Sequence, residues 1–191
     1  AVLRTVLSDD CSGALEIIDF APRFRQHGRT YRPQAYVRIV RVLSGTPHVR
    51  IRLHPATDWG ARRCPTTNGS NHIRYIGSAV TLRLTTNAPV AYLLDETGFD
   101  IEGELVFFLG PDEPFREDIA AACRRMFDAT IADWREWVRH LSVPLEWQEA
   151  VIRAAITLRL CQYEETGAIV AAMTTSIPEA ANTGRNWDYR Y

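Results

Sequence analysis

Val2-Leu-Arg-Thr-Val-Leu-Ser8 and Ala14-Leu-Glu-Ile-Ile-Asp-Phe20, separated by Asp9-Asp-Cys-Ser-Gly13, decide how the chain begins to fold. Both runs favour extended backbone, and the five residues between them are turn formers. They read as a hairpin, with Gly13 expected to supply a positive φ. The pattern recurs to about residue 110. Tyr36–Leu43 and His48–Leu53 flank Ser44-Gly-Thr-Pro47. In the latter run Val49, Ile51 and Leu53 point one way, and Arg50, Arg52 and His54 the other. Val80–Thr85 repeats this, with Val80, Leu82 and Leu84 inward and Thr81, Arg83 and Thr85 outward. Val90–Leu94 and Glu104–Leu109 are the last strands expected, after Asn87-Ala-Pro89 and Thr97-Gly98. Hairpins with one apolar face each need a second layer, so residues 1–111 are expected to form an antiparallel β-sandwich.

Beyond Pro111 the period changes. Pro111-Asp-Glu-Pro-Phe-Arg-Glu-Asp118 is a break followed by acidic residues, the charge a helix start favours. Ile119, Cys123, Phe127, Ile131, Trp134, Val138 and Leu141 then recur at three- and four-residue steps, predicting a helix within 112–142. Trp134 and Trp137 at this spacing fit a core better than a ligand site. Ser142-Val-Pro144 ends that helix, with Pro144 suited to open the next. Trp147, Val151, Ile152, Ala155, Ile156, Leu158 and Leu160 make this second helix apolar over most of its circumference, so both its sides are expected to be covered. Gly167 is placed as its C′ residue. The fold class expected is α+β.

Composition narrows the function classes. The chain has 191 residues, 46% hydrophobic and 24% charged, with a formal net charge of −1, which argues against nucleic acid or an anionic membrane as partner. All 22 basic residues are arginine, spread along the chain in the manner of a coding bias. Arg38, Arg50, Arg52, Arg74 and Arg83 could line a basic face, but pairing with the many acidic residues is the expected arrangement. No apolar run is long enough to span a bilayer, and no charged-then-apolar leader is present. The chain opens on Ala1 in a run that already reads as strand, so it is expected to start within a sheet. Cys11, Cys64, Cys123 and Cys161 form no Cys-x-x-Cys pair, and no histidine stands at zinc-ligand spacing. Free thiols in a cytoplasmic setting are expected, with a disulfide between distant pairs left open. No metal or cofactor is expected, and a homo-oligomer stays open. His54-Pro-Ala-Thr-Asp-Trp-Gly60 could offer Trp59 to a sugar, although anchoring Ala61–Ser70 is the role expected.

The stretch with the most chemistry is Thr166-Gly-Ala-Ile-Val-Ala-Ala-Met-Thr-Thr-Ser-Ile-Pro-Glu179, running on to Arg185-Asn-Trp-Asp-Tyr-Arg-Tyr191. Aromatic faces cover the C–H face of a pyranose, and interleaved charged and amide groups bind its hydroxyls. Asn186, Trp187, Asp188, Tyr189 and Arg190 are the candidate substrate-binding residues. The order TGAIVAA…TTSIPE…RNWDYRY closely resembles the start of the catalytic barrel in bacterial glycoside hydrolase family 15, the glucoamylase- and trehalase-like enzymes. More loosely, …IIDFAPRF… and …VRIRLHPATDWG… resemble the family's N-terminal β-sandwich, which more strands precede in the bacterial members.

The resemblance implies a β-sandwich over 1–111, a linker helix over 112–142, and the first part of an (α/α)6 barrel over 143–191. It implies an α-glucoside or α-glucan substrate and an inverting, exo-acting mechanism that releases glucose. Tyr189 matches the tyrosine that packs on the terminal glucose, just before a Cys-Trp-Leu-Arg-Asp run whose Arg and Asp hold that sugar. Trp187 and Arg190 are as suited to bracing the loop as to touching sugar. The family's catalytic glutamates lie on later barrel loops, so no catalytic residue is assigned, and this internal piece is expected to be inactive alone. Asp9-Asp10, Asp95-Glu96, Asp112-Glu113 and Glu164-Glu165 read as solvated turns or helix ends. No Gly-x-Ser-x-Gly, Gly-x-Gly-x-x-Gly, phosphate loop or His-Glu-x-x-His is present. The rival reading is a non-catalytic β-sandwich that binds glycan or holds a partner domain.

Overall fold

The computed structural model describes residues 1–9, 13–77 and 79–170, with Trp59 by its backbone alone. The protein is α+β, a large antiparallel sheet with few helices, consistent with a β-sandwich plus helices. In chain order the first strands are β1 Val2–Ser8, β2 Ala14–Phe20, β3 Phe24–Gln26, β4 Arg29–Tyr31 and β5 Tyr36–Ser44. Next come β6 His48–Val49, β7 Ala56–Thr57, β8 Arg62–Arg63, β9 Thr66–Asn68, β10 His72–Ile76 and β11 Thr81–Thr86. The last two are β12 Phe99–Asp100 and β13 Leu105–Pro111. Seven of them form one sheet in the order β1-β2-β5-β13-β11-β10-β9, and the others pair as β3–β4, β6–β12 and β7–β8. Helices α1 Val90–Leu94, α2 Ile119–Arg139 and α3 Gln148–Leu160 complete the elements. The chain divides into two compact units, Ala1–Arg135 and Glu136–Tyr191.

The central strands are apolar on both faces, where alternation had predicted one. Ile17 stands opposite Val40 on one face, and Ile18 opposite Ile39 on the other. Val106 pairs with Ile39 and Phe108 with Val37, leaving Phe107 on the reverse side. The first half of α2 covers one face. There Ile119, Ala120, Cys123 and Met126 pack with Ile18, Phe20, Val37, Ile39, Val106 and Phe108. The other face carries Leu15, Val40, Ile73, Tyr75, Leu84 and Phe107, covered by Val90 and Leu93 of α1, by Ile101, and by Val49, Ile51, Leu53 and Phe99. Each layer removes apolar surface from water, the main favourable term in folding.

Several expectations change for physical reasons. Val90–Leu94 is one helical turn, not a strand, because after Pro89 the buried Val90 and Leu93 meet the core at a three-residue step. The extended run 48–53 forms ladder pairs only at His48–Val49, since its remainder lies over the sheet with no strand beside it. Its alternation still holds, with Ile51 and Leu53 turned inward. Val80 is 59% exposed while Thr85 and Thr86 are each 1% exposed. Burial of the threonines is tolerated because the Thr86 hydroxyl donates to the Val106 carbonyl at 2.7 Å and accepts from the Ala88 amide at 3.0 Å. At Gly13 a Cβ would collide with the Asp9 carboxylate, which accepts the Gly13 amide at 2.8 Å, so the turn needs glycine for space.

In α2, Asp118 caps the N-terminus by accepting the Ala121 amide at 2.7 Å. The buried stripe runs Ile119, Cys123, Met126, Thr130, Trp134, so Phe127 and Ile131 sit at its margin. Trp134 is buried, with the Arg23 guanidinium 5.8 Å from its ring centroid. Pro144 does not open α3; the helix starts at Gln148 after Trp147, which is left-handed at φ 61°. None of the residues of α3 is buried. Periodicity shows which side chains are apolar but not what lies over them.

A chain of charges ties the edge strand to the helix. Arg4 contacts Glu16, Arg41 lies 3.8 Å from Glu16, and Glu104 accepts from Arg41 and from Arg124 at 2.7 Å each. Burial pushes the Glu104 carboxyl up, but the bonds from Arg41 and Arg124 outweigh it and hold the group below the usual carboxylate range. A carboxyl lowered by folding stabilises the protein above its unfolded pKa, about 4.3, and loses that contribution as pH falls through the folded value. Glu104→Gln is therefore expected to lower the unfolding free energy by about 1 kcal/mol at pH 7. In urea titrations the variant and parent should converge toward pH 3; an equal gap at both pH values would show that the charge is not responsible.

Candidate functional site

Asn186, Trp187, Asp188, Tyr189 and Arg190 lie outside the described residues, as does Thr174-Thr-Ser176. The described chain does reach the front of their motif. After α3 it reverses through a tight hairpin, with Gln162 bridged to Ile169. The Tyr163 amide donates to the Ala168 carbonyl at 2.8 Å, the Gly167 amide to the Tyr163 carbonyl at 2.7 Å, and the Val170 amide to the Cys161 carbonyl at 2.9 Å. Gly167 is left-handed at φ 78°, but it serves this turn and not the helix end, which Cys161 caps. Arg159 in the last turn of α3 stacks on Trp137 with 4.5 Å to the ring centroid. Thr166-Gly167-Ala168 thus enters the motif from a defined turn. The lone glycine and the Thr166 hydroxyl, which accepts the Ala168 amide at 3.2 Å, hold it there.

A hollow in the first unit lies between the sheet and the run 49–53. It has a volume of about 540 Å³ and is lined mainly by apolar side chains, among them Leu15, Ile17, Val40, Leu84 and Phe107 opposite Val49, Ile51 and Leu53. Arg38 stands at its margin and donates to both Asp19 oxygens at 2.7 and 2.8 Å. A neighbouring polar hollow of about 410 Å³ is lined by His48, Arg50, Arg52 and Gly98. The outward arginines are largely paired: Arg38 with Asp19, Arg52 with Glu96, and both Arg74 and Arg83 with Asp112. Trp59 falls in the single turn Asp58–Gly60, with its indole outside the described part. Among the described residues, no group of three or more His, Cys, Asp or Glu could hold a metal.

The chain is 33% identical over 195 residues to a trehalase of Mycolicibacterium smegmatis, covering 91% of this chain and 28% of the relative. The trehalase of Mycobacterium tuberculosis is 33% identical over 196 residues, with the same coverage. That of Thermoplasma acidophilum is 26% identical over 183 residues, covering 93% of this chain and 31% of the relative. These relatives are trehalases. The chain spans under a third of their length. No family model and no solved structure matches.

Similarity to trehalases puts the weight on carboxyl groups, because cleaving a glycosidic bond takes two of them, one kept protonated as the acid. Among the described residues the resolved carboxyl shifts all run the other way. The His54 hydrogen bond, with help from Arg52, holds Glu96 below its usual range despite partial desolvation. Arg74 does the same for Asp112, Arg125 for Glu117, and the Arg41 and Arg124 pair for Glu104. Each is thereby fixed as an anion bound to a cation. All four acidic neighbour pairs thus supply structural partners: Asp9 closes the hairpin, Glu96 grips the run 48–54, Asp112 gathers two arginines, and Glu164 lies 3.9 Å from Arg159. Sequence reading missed the His48–Asp100 and His54–Glu96 contacts, at 2.7 and 2.6 Å. The outward placement of His54 was visible, but the partners of the two histidines lie 52 and 42 residues away.

Gly167→Ala forces a side chain into left-handed backbone and is expected to cost the turn roughly 1 kcal/mol. Hydrogen exchange at the Tyr163 and Val170 amides reads this; unchanged protection would show that the turn does not need glycine.

Proposed function

We propose that this chain is part of an inverting, exo-acting α-glucoside hydrolase of the trehalase and glucoamylase class, acting on trehalose or a similar α-linked glucoside. The observation that carries the reading is the 33% identity to a trehalase over 91% of the chain, a span that must take in both sheet and helices. The order and spacing of the motif Thr166–Tyr191 support it as well. In this reading residues 1–111 belong to an N-terminal β-sandwich, 112–142 to a linker helix, and 143–191 open an (α/α)6 barrel. Tyr189 packs its ring on the terminal glucose, with Asn186 and Asp188 at the sugar hydroxyls and Trp187 and Arg190 touching sugar or bracing the loop. Free thiols at Cys64, Cys123 and Cys161 fit a reducing, cytoplasmic setting.

The chemistry follows from inversion. One carboxylic acid protonates the glycosidic oxygen, and a carboxylate takes a proton from a water held on the opposite face of the ring. The water oxygen bonds to the anomeric carbon as the C–O bond to the leaving glucose breaks. The two carboxyl groups stand roughly 6.5–9.5 Å apart to admit that water. Both are supplied from outside residues 1–191. From α,α-trehalose the attacked ring leaves as β-glucose and the other as α-glucose.

Proton NMR of fresh product is expected to show the two anomers in equal amounts before mutarotation; α-glucose alone would exclude inversion. In the full-length protein Tyr189→Ala should lower kcat/KM for trehalose roughly tenfold, with Tyr189→Phe retaining most of it. An unchanged kcat/KM in the alanine variant would sink the assignment of Tyr189. The 191-residue chain by itself is expected to release no glucose from trehalose or maltose.

A further inference from the structure

The hollow beneath the run 49–53 has an apolar wall that its cover leaves unsealed. The register sets Val40 opposite Ile17 and Arg38 opposite Phe107, so one arginine shares the floor with apolar side chains. Leu84 and Ile101 in the lining are each 2% exposed, whereas Ile17, Val49, Ile51, Leu53 and Leu109 are only partly buried. Leu7 and Tyr36, also in the lining, are exposed. A guest with a hydrocarbon body would remove that remaining surface from water.

The charged members of the lining are Arg38, Arg50 and Arg52, and they differ in what holds them. Arg38 donates through Nε and Nη2 to the two Asp19 oxygens at 2.7 and 2.8 Å. Arg52 lies 2.7 Å from a Glu96 oxygen. Asp100 on β12 is bonded to His48 at 2.7 Å. Arg50 is exposed and makes no ion pair among the described residues. It borders both this hollow and the neighbouring polar one, so a positive charge without a carboxylate stands where the two meet.

We propose that the hollow binds a free medium-chain aliphatic carboxylate, with its hydrocarbon chain along the apolar wall and its head at Arg50. The volume of about 540 Å³ falls within the roughly 300–1,000 Å³ of small-molecule sites. A disaccharide does not suit this wall, because its hydroxyls need partners that Ile17, Val40, Val49, Ile51 and Leu53 lack. A neutral hydrocarbon would cover the wall but leave Arg50 unanswered. A carboxylate meets an arginine fork with two parallel bonds. The charges of Asp19 and Glu96 are each balanced by an arginine already, which leaves Arg50 to receive the head. Chain length then governs how tightly the guest is held, and the head governs which way it lies.

The test is titration of the full-length protein at neutral pH with octanoate, decanoate and dodecanoate, read by the methyl NMR signals of Ile17, Ile51 and Leu53. These signals are expected to shift, with Ile39 under α2 unaffected, and affinity to rise about fourfold for each added methylene until the hollow is filled. Arg50→Gln, at an exposed position, should weaken decanoate roughly two- to fivefold and leave decanol unchanged. Three results would overturn the proposal: no shift with any of the three acids, affinity that ignores chain length, or equal weakening of decanol in the glutamine variant. Trehalose shifting the same methyls in place of decanoate would make the hollow a sugar site and overturn it too.

Discussion

A sheet whose middle strands are apolar on both sides cannot stop at two layers, and the rest of the first unit follows from that constraint. Neighbouring residues such as Ile17 and Ile18, Ile39 and Val40, or Phe107 and Phe108 point to opposite faces, so each face requires its own cover. The chain meets the demand with different materials. One face receives a long regular helix, whose own hydrogen bonds satisfy its backbone. The other receives a single helical turn, a two-residue strand pair and an extended run. Regular structure closes the first face tightly, whereas the irregular cover leaves the hollow of about 540 Å³.

Charge does what packing cannot on the irregular side and at the seams. The ion-paired line from Arg4 through Glu16, Arg41 and Glu104 to Arg124 joins β1, β2 and β5 to α2. Arg74 and Arg83 converge on Asp112 at the opposite end of the sheet. An arginine fork meets a carboxylate with two parallel bonds, as Arg38 does with Asp19. Such use of acidic residues also bears on chemistry. A carboxyl locked to arginine is held ionised, the opposite of what protonating a glycosidic oxygen requires.

The hairpins were legible because their signals are local. β1 and β2 match their expected bounds residue for residue, and β5 and α2 differ only at their ends. Legibility failed wherever a distant partner decides the outcome. His48–Leu53 has strand alternation, but a strand needs a neighbour, and the neighbour ends after two pairs. Val90–Leu94 has β-branched and apolar residues enough for a strand; the core it meets accepts Val90 and Leu93 three apart, and the helix wins. The five residues between Leu141 and Trp147 offered Pro144 as a start, yet left-handed Trp147 moves the start to Gln148. For the candidate site the split is similar. The motif Thr166–Tyr191 is readable by order and spacing, while the histidine–carboxylate contacts join residues more than 40 apart and leave no pattern.

These two kinds of legibility match the proposed division of labour. A sugar subsite of the kind proposed for Asn186 to Arg190 would gather its contacts within a few residues, so its chemistry would survive in a short stretch of sequence. The paired carboxylates of an inverting hydrolase must instead face each other across a water, roughly 6.5–9.5 Å apart. Such a pair comes from separate loops and carries no local signature. Among the described residues Glu96, Glu104, Asp112 and Glu117 are each already committed to an arginine. The described residues are thus built to hold a sheet between two covers and to lead the chain through a fixed turn at Gly167 into the motif. In the proposed reading, positioning is what this part of the protein contributes, and bond cleavage would draw on residues outside 1–191.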